Sequence, residues 1–382
     1  IKELSYNYPS PIWTLPQLMW IRKHEPENYK RIAKIIFLKD YIRYRITGKM
    51  ATDSIEIMGA MLRDERKRDW SNKLLNLCGL SREQMPEVLE PPDLVGNLTP
   101  EICKETGLSQ NTLVAVGATD TVMEVYASGN IKTGNTTIKL ATAGRICPVT
   151  DRAYSDRQLV CYRHIVPGLW YPGTATKTCA QSMRWYRDVL GEHEIYKGEQ
   201  LGTNAYSIIS GEAEGIPAGS DNLFFHPYLQ GELTPYQNTK LRASFTGISS
   251  YHTKAHFHRA VMEGVAYSLQ ECMNVLRHLE IPMDDTLKII GGGAKSSVWR
   301  QIVADVLDVS LIRVTTDDSS IGAAMLAGVA SGVFSSHEES VLICSKTAEV
   351  VHPDKGNVEV YKEGFKVYKS IQAALEDIYN RL

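Results

Sequence analysis

The chain has 382 residues, 43% hydrophobic and 23% charged, the balance of a globular protein with room for about two domains of roughly 150 residues. Its net charge, 42 − 44 = −2, argues against an extended nonspecific nucleic-acid surface, and no apolar run reaches the ~20 residues of a membrane span. Its seven cysteines are scattered and never spaced C-x-x-C, which argues against a zinc site or a disulfide framework and for a reduced, cytoplasmic setting.

The chain opens IKELSYNYPSPIW, with neither an initiator Met nor a signal peptide, which raises the expectation of absent upstream sequence. Leu15 to Lys23, Asn28 to Phe37 and Lys39 to Ile46 read as helices, the last closed by Gly48. Trp70 to Cys78 is another, closed by Gly79. In LTPEICKETGL, Thr99 is the N-cap, Pro100 the first helical residue and Gly107 the stop. No strand is expected before Leu113. Val114 to Ala118 then reads as a short buried strand and Val122 to Ala127 as the start of a helix, with Asp120 between them. Taken alone, Asp120 reads as a helix cap, a surface carboxylate, a buried ion pair or a carboxylate aimed into a cleft. Asp53, in MATDSIE, reads first as a helix cap.

After Gly129 the texture changes. Thr136 to Thr142 reads as a strand, Val160 to Val166 and Leu169 to Tyr171 as a hairpin over Pro167-Gly168, and Asn222 to Leu229 as a strand. Gly211 to Gly219, GEAEGIPAG, reads as a loop. Val261, Val265, Leu269 and Met273 mark a long amphipathic helix. Strand, glycine turn, helix, strand and helix follow from Leu287 to Ala330. The chain therefore divides near residue 130.

The most telling local pattern is LKIIGGGAKSSVWRQIVADVL, where a strand runs through Gly291-Gly292-Gly293 into a helix that Ser296 or Ser297 can cap. Glycines let backbone amides approach a phosphate, and a helix N-terminus adds positive potential. The spacing fits neither a Walker A loop nor G-x-G-x-x-G, and the alternative is a tight turn without a ligand. KLATAGRI ends a strand on Thr142, Ala143 and Gly144 and reads as a second phosphate loop or an ordinary hairpin turn. SSIGAAMLAGVASG is a helix whose small face either admits a nucleotide base or packs against a neighbour. His256 and His258 sit two apart at a helix start and cannot share a helical face, so no metal site is assigned to them or to His252.

In order, these segments resemble the FGGY family of carbohydrate kinases, most of all its xylulokinase branch. The strongest match is ASFTGISSYHTKAHFHRAVMEGVAYSL, in which Ala243, Phe245, Gly247, Ile248, His256, Phe257, Ala260, Val261, Met262 and Glu263 fit the family's second signature. TLPQLMWIRKH, KDYIRYRITGKMATDSIE, FFHPYLQGELTP and the triple-glycine turn match further family segments, with Gln17 where lysine is usual and Leu233 where arginine is usual.

The resemblance implies an α/β fold of two actin-like, ribonuclease-H-like lobes. Residues 1–131 would be the remainder of an N-terminal, sugar-binding lobe and 132–382 a C-terminal, nucleotide-binding lobe. It implies ATP with Mg²⁺, and Asp120 as general base to a sugar hydroxyl. It places Thr142 and Gly144 in a β/γ-phosphate loop, Gly292 and Gly293 at an α-phosphate turn, and Ser296 and Ser297 near the ribose or base. Ala141 and Ala143 stand where glycine and serine are common. The family's opening hairpin with its D-x-G-T/S motif is not in this sequence, so a truncated product or fragment with an incomplete first lobe is expected. The implied acceptor is a pentulose such as D-xylulose, with sugar specificity partly in WYPGTATKTCAQSMRWYRD. The alternatives are gluconate or another sugar of the family's range, and a non-catalytic actin-like nucleotide-binding protein. A dehydrogenase built on the triple glycine is weak, because its glycines are contiguous. The resemblance suggests a homodimer, while charge and hydropathy point to no nucleic-acid or membrane partner.

Overall fold

The computed structural model describes residues 1–382, which form two compact units. The first comprises Ile1–Thr133, Val149–Pro172 and Thr316–Ser345; the second comprises Gly134–Pro148, Gly173–Thr315 and Lys346–Leu382. The division near residue 130 is thus crossed again by two later segments that return to the first unit. No helix is long and apolar enough to cross a membrane.

The first unit is mainly helical. Its helices Thr14–His24 and Asn72–Cys78 bury Leu15, Leu18, Leu74 and Leu75 around Trp13 and Trp70. Local signals set several boundaries. Gly48 stops Leu38–Thr47 at φ +69°, and Thr99 Oγ1 accepts from the Ile102 amide at 3.4 Å to start Pro100–Thr106. The helix expected over 28–37 exists only as Pro26–Lys30. Beyond it the backbone is drawn to a neighbour, with the Ile35 amide on the Gln84 carbonyl at 2.9 Å and Gln84 Nε2 on the Ile32 carbonyl at 2.8 Å. Short strands also precede Leu113. Ala51–Asp53 pairs in parallel with Glu87–Leu89, and Leu94–Asn97 pairs antiparallel with Leu113–Ala115. Three or four residues carry too little alternation to register reliably as strands in sequence.

The small-residue helix Ser319–Ala330 packs on the helix Asp120–Ala127. A Cβ on Gly322 would lie 2.2 Å from the Met123 carbonyl oxygen, so the small face serves close helix packing.

The second unit is built on six consecutive strands of a seven-stranded sheet: β1 Thr136–Leu140, β2 Gly144–Pro148, β3 Trp170–Thr176, β4 Thr286–Ile290, β5 Ser310–Val314 and β6 Thr347–Val351. Their order is β6-β5-β4-β1-β2-β3. The β5-β4 and β4-β1 pairs are parallel; the others are antiparallel. The expected Thr136–Thr142 strand ends at Leu140 because the chain turns into β2. The strand expected over 222–229 is limited to Phe224–His226 by a 3₁₀ turn at Ser220–Asn222. The loop expected from Gly211 begins later, because helix Ala205–Glu214, capped by Asn204, runs through Gly211.

Helix Lys254–His278 is the spine of this unit and buries Val261, Val265, Leu269 and Met273 as their spacing predicts. It crosses Phe224–His226 so closely that a Cβ on Gly264 would lie 2.0 Å from the Phe225 carbonyl oxygen. Backbone cannot yield as a flexible side chain does. Gly264→Ala is expected to cost about 2–3 kcal/mol, read as a lower urea midpoint at unchanged m-value.

Candidate active site

Asp120 opens the helix Asp120–Ala127 and is exposed, with Oδ1 accepting from the Thr121 amide at 2.7 Å. The segment that presents it is anchored from behind. Arg43 is buried; its Nη2 donates to Asp40 Oδ1 at 2.8 Å and to the Ala51 carbonyl at 2.6 Å, and its Nη1 donates to the Val116 carbonyl. The Val116 amide reaches the Asp93 carbonyl at 2.9 Å. One guanidinium therefore joins the helix Leu38–Thr47, the strand Ala51–Asp53 and the approach to Asp120.

The same segment gathers charge. Lys39 Nζ lies 2.5 Å from both Asp40 Oδ1 and Asp53 Oδ2, and 3.8 Å from Glu56 Oε2. Asp53 Oδ1 accepts from the Ile55 and Glu56 amides at 2.9 Å each, the capping role its sequence context indicated. Burial pushes the Glu56 carboxyl up to about 7; Lys39 opposes this, while Asp53, Asp40 and Asp120 add to it. Asp120 thus belongs to an acidic region in which one carboxyl keeps its proton toward neutral pH.

In the second unit two turns meet at one cavity of about 610 Å³. Thr142 comes from the β1–β2 hairpin, and Gly292, Gly293, Ser296 and Ser297 come from the turn after β4. The two turns touch because the glycines permit it. A Cβ on Gly291 would lie 2.8 Å from the Leu140 carbonyl oxygen, and one on Gly293 would lie 2.7 Å from Leu140 Cδ2. Gly292 is different, since a Cβ there would meet nothing within 4 Å. Ser296 caps the helix Ser297–Leu307, its Oγ accepting from the Trp299 amide at 3.2 Å. Its hydroxyl also lies 2.9 Å from that of Ser210.

Gly144 stands apart from these residues. It sits in β2 with its missing Cβ directed at Thr176, Cys179 and Leu269. The hairpin turn also spends its carbonyls on a helix start, because the Cys179 amide reaches the Thr142 carbonyl at 2.9 Å and the Ala180 amide the Ala141 carbonyl at 2.7 Å. The segment expected to carry sugar specificity places Ala180, Met183 and Arg184 in this same cavity. Ser207, Ser210 and Met262 also line it; the sequence marked Met262 only as part of a family signature and gave no sign of the two serines. They lie on amphipathic helices, where a cavity-facing residue looks like a core-facing one.

Two outcomes follow from this geometry. Gly292→Val is expected to weaken nucleotide binding at least tenfold by calorimetry while leaving the thermal midpoint within about 2 °C, because the added atoms enter open space. The Glu56 carboxyl is raised on folding from 4.5 to about 7, so the stability tied to its neutral form is complete below about pH 4.5 and lost as pH rises through about 7. Glu56→Gln is expected to exceed the parent by about 2 kcal/mol at pH 8 in urea unfolding, with the gap closing toward pH 4.5.

Comparison with known proteins places this geometry. Residues 1–126 match the N-terminal domain of the FGGY family of carbohydrate kinases, and residues 131–331 match its C-terminal domain. The chain is 32% identical over 373 residues to the xylulose kinase of Bacillus subtilis (strain 168), covering 97% of this chain and 72% of that protein. Its fold matches the crystal structure of xylulose kinase from Rhodospirillum rubrum with a TM-score of 0.86 at 27% identity, over 99% of this chain and 75% of that one. It matches gluconate kinase from Lactobacillus acidophilus with a TM-score of 0.88 at 25% identity, over 100% of this chain and 75% of that one. The architecture is the α/β, actin-like and ribonuclease-H-like ATPase fold. With both domain patterns matched in sequence, this chain belongs to the FGGY family of carbohydrate kinases.

Proposed function

We propose that this kinase transfers the γ-phosphoryl group of ATP to a hydroxyl of a pentulose, D-xylulose first. The observation that carries the mechanism is Asp120, an exposed carboxylate on an anchored helix start, with Oδ1 occupied by its own helix and Oδ2 left to the substrate. Asp120 takes the proton from the attacking hydroxyl as the new O–P bond forms and the bond to ADP breaks. Mg²⁺ enters with the substrate as Mg·ATP and offsets phosphate charge. Gly292 and Gly293 let backbone amides approach the phosphates, Thr142 adds a hydroxyl, and Ser296 and Ser297 lie toward the nucleoside. Gly144 acts indirectly, by keeping the hairpin close to its neighbours. Met183, Met262 and Trp299 supply an apolar wall for the base.

The similarity to xylulose kinases supports the acceptor, and the structural match to a gluconate kinase makes gluconate the second reading. The scattered cysteines, never spaced C-x-x-C, support a cytoplasmic setting, and the near-neutral charge supports a protein without a nucleic-acid partner. The homodimer rests on family resemblance alone.

The test is ADP release with Mg·ATP against D-xylulose, other pentuloses, gluconate and glycerol. D-xylulose is expected to stimulate release most, and Asp120→Asn to reduce it by about 10²–10⁴-fold with nucleotide binding retained. Nucleotide binding without sugar-dependent turnover would favour a non-catalytic protein.

A further inference from the structure

Three helices of the second unit converge on a buried cluster that phosphoryl transfer does not use. Glu194 comes from Glu192–Gln200, Glu212 from Ala205–Glu214 and His258 from Lys254–His278. Glu194 and His258 are fully buried, and Glu212 is partly so. His258 Nε2 lies 3.2 Å from Glu212 Oε2 and 3.6 Å from Glu194 Oε1, and the three atoms fall within 4.8 Å of one another. The outer oxygens face elsewhere. Lys254 Nζ is 2.6 Å from Glu194 Oε2, and Lys197 Nζ is 2.7 Å from Glu212 Oε1.

The inner atoms do not satisfy one another. Nε2 carries at most one proton and donates it to Glu212. Glu194 Oε1 is then left buried with no donor, and His258 Nδ1 is buried with no partner. If the proton sits on Nδ1 instead, two carboxylate oxygens face the Nε2 lone pair. A single cation among the three atoms removes the conflict at Nε2 and Glu194 Oε1, since each of the three would then offer it a lone pair; the proton then sits on Nδ1, whose burial is unchanged.

We propose that Glu194, Glu212 and His258 bind a first-row transition-metal dication of the Zn²⁺ class, with solvent completing the shell at the partly exposed Glu212 side. Tetrahedral bonds of about 2.0–2.2 Å require donor atoms about 3.3–3.6 Å apart, close to the 3.2 and 3.6 Å of the two His258 pairs; the Glu194–Glu212 pair, within 4.8 Å, would close on the cation. One imidazole with two carboxylates suits Zn²⁺, Co²⁺ or Ni²⁺ better than Mg²⁺. The two lysines each expose 41% of their side chains, so they can swing outward when the cation brings its charge. Tyr186 packs edge-on against the imidazole at 5.4 Å and closes the inner side. The site cross-links three helices, one of which carries Ser207 and Ser210 of the nucleotide cavity wall, and it is independent of the kinase reading.

The full chain, dialysed against chelator, is titrated with CoCl₂ and followed by visible absorption, then challenged with ZnCl₂. Expected are about one equivalent of bound Co²⁺ with intensified ligand-field bands, bleaching by Zn²⁺, and a thermal midpoint raised by several degrees in excess Zn²⁺. His258→Gln, Glu194→Gln and Glu212→Gln should each weaken binding at least tenfold; Glu212, at the partly exposed position, is the change the fold tolerates best. A Co²⁺ spectrum unchanged from the hydrated ion would overturn the proposal. So would binding of unchanged affinity in folded Glu212→Gln or His258→Gln.

Discussion

A buried carboxylate must find its hydrogen bonds inside the protein, and Glu263 does so by organising the second unit around itself. It accepts from the Gly219 amide at 2.9 Å, Ser220 Oγ at 2.7 Å, Arg259 Nε at 2.8 Å and the Tyr361 hydroxyl at 2.8 Å. Those donors come from a turn, from its own helix and from the helix Lys355–Tyr379. Loss of any one leaves an ion short of solvation in a place water cannot reach, so the three elements are held together as a set. The neighbouring residues use the same helical turn for other purposes. Gly264 admits the backbone of Phe225, and the Met262 carbonyl receives Trp299 Nε1 at 3.1 Å, which fixes the helix Ser297–Leu307 beside the cavity where the two turns meet. This is a physical reason for Glu263 to stand where it does in the family's second signature, and for a glycine to follow it.

The first unit solves a related problem with a cation. Arg43 must pair its buried guanidinium, and its partners include the carbonyl of Val116, a few residues before Asp120. The KDYIR portion of the segment KDYIRYRITGKMATD thereby acts as a clasp. Lys39 binds two carboxylates, Asp40 orients Arg43, and Arg43 holds the strand end that presents Asp120. Packing secures the other side, where Gly322 brings the helix Ser319–Ala330 against the Met123 carbonyl. An exposed carboxylate on an otherwise constrained backbone suits a proton acceptor, because it is accessible while its position is fixed.

Much of this was legible in the residues themselves. The stops at Gly48 and Gly107, the caps at Thr99, Asp53 and Ser296, and the long helix through Val261 and Met273 follow from interactions within a few residues of each other. The family order of segments likewise needs no structure, and it led to Asp120. A local pattern survives any tertiary arrangement because its partners are neighbours in the chain.

Tertiary structure alone decided the rest. Ile32 and Ile35 left the helix because Gln84, distant in sequence, offered their backbone better partners. Gly144 and Gly293 are both small, yet one packs into the sheet and the other joins a cavity wall. Met183, Ser207 and Ser210 became cavity residues through the angle at which their helices pack. Glu194, Glu212 and His258 met only because three helices converge. A contact between residues separated by tens of positions depends on how whole elements dock, and no short-range pattern records that.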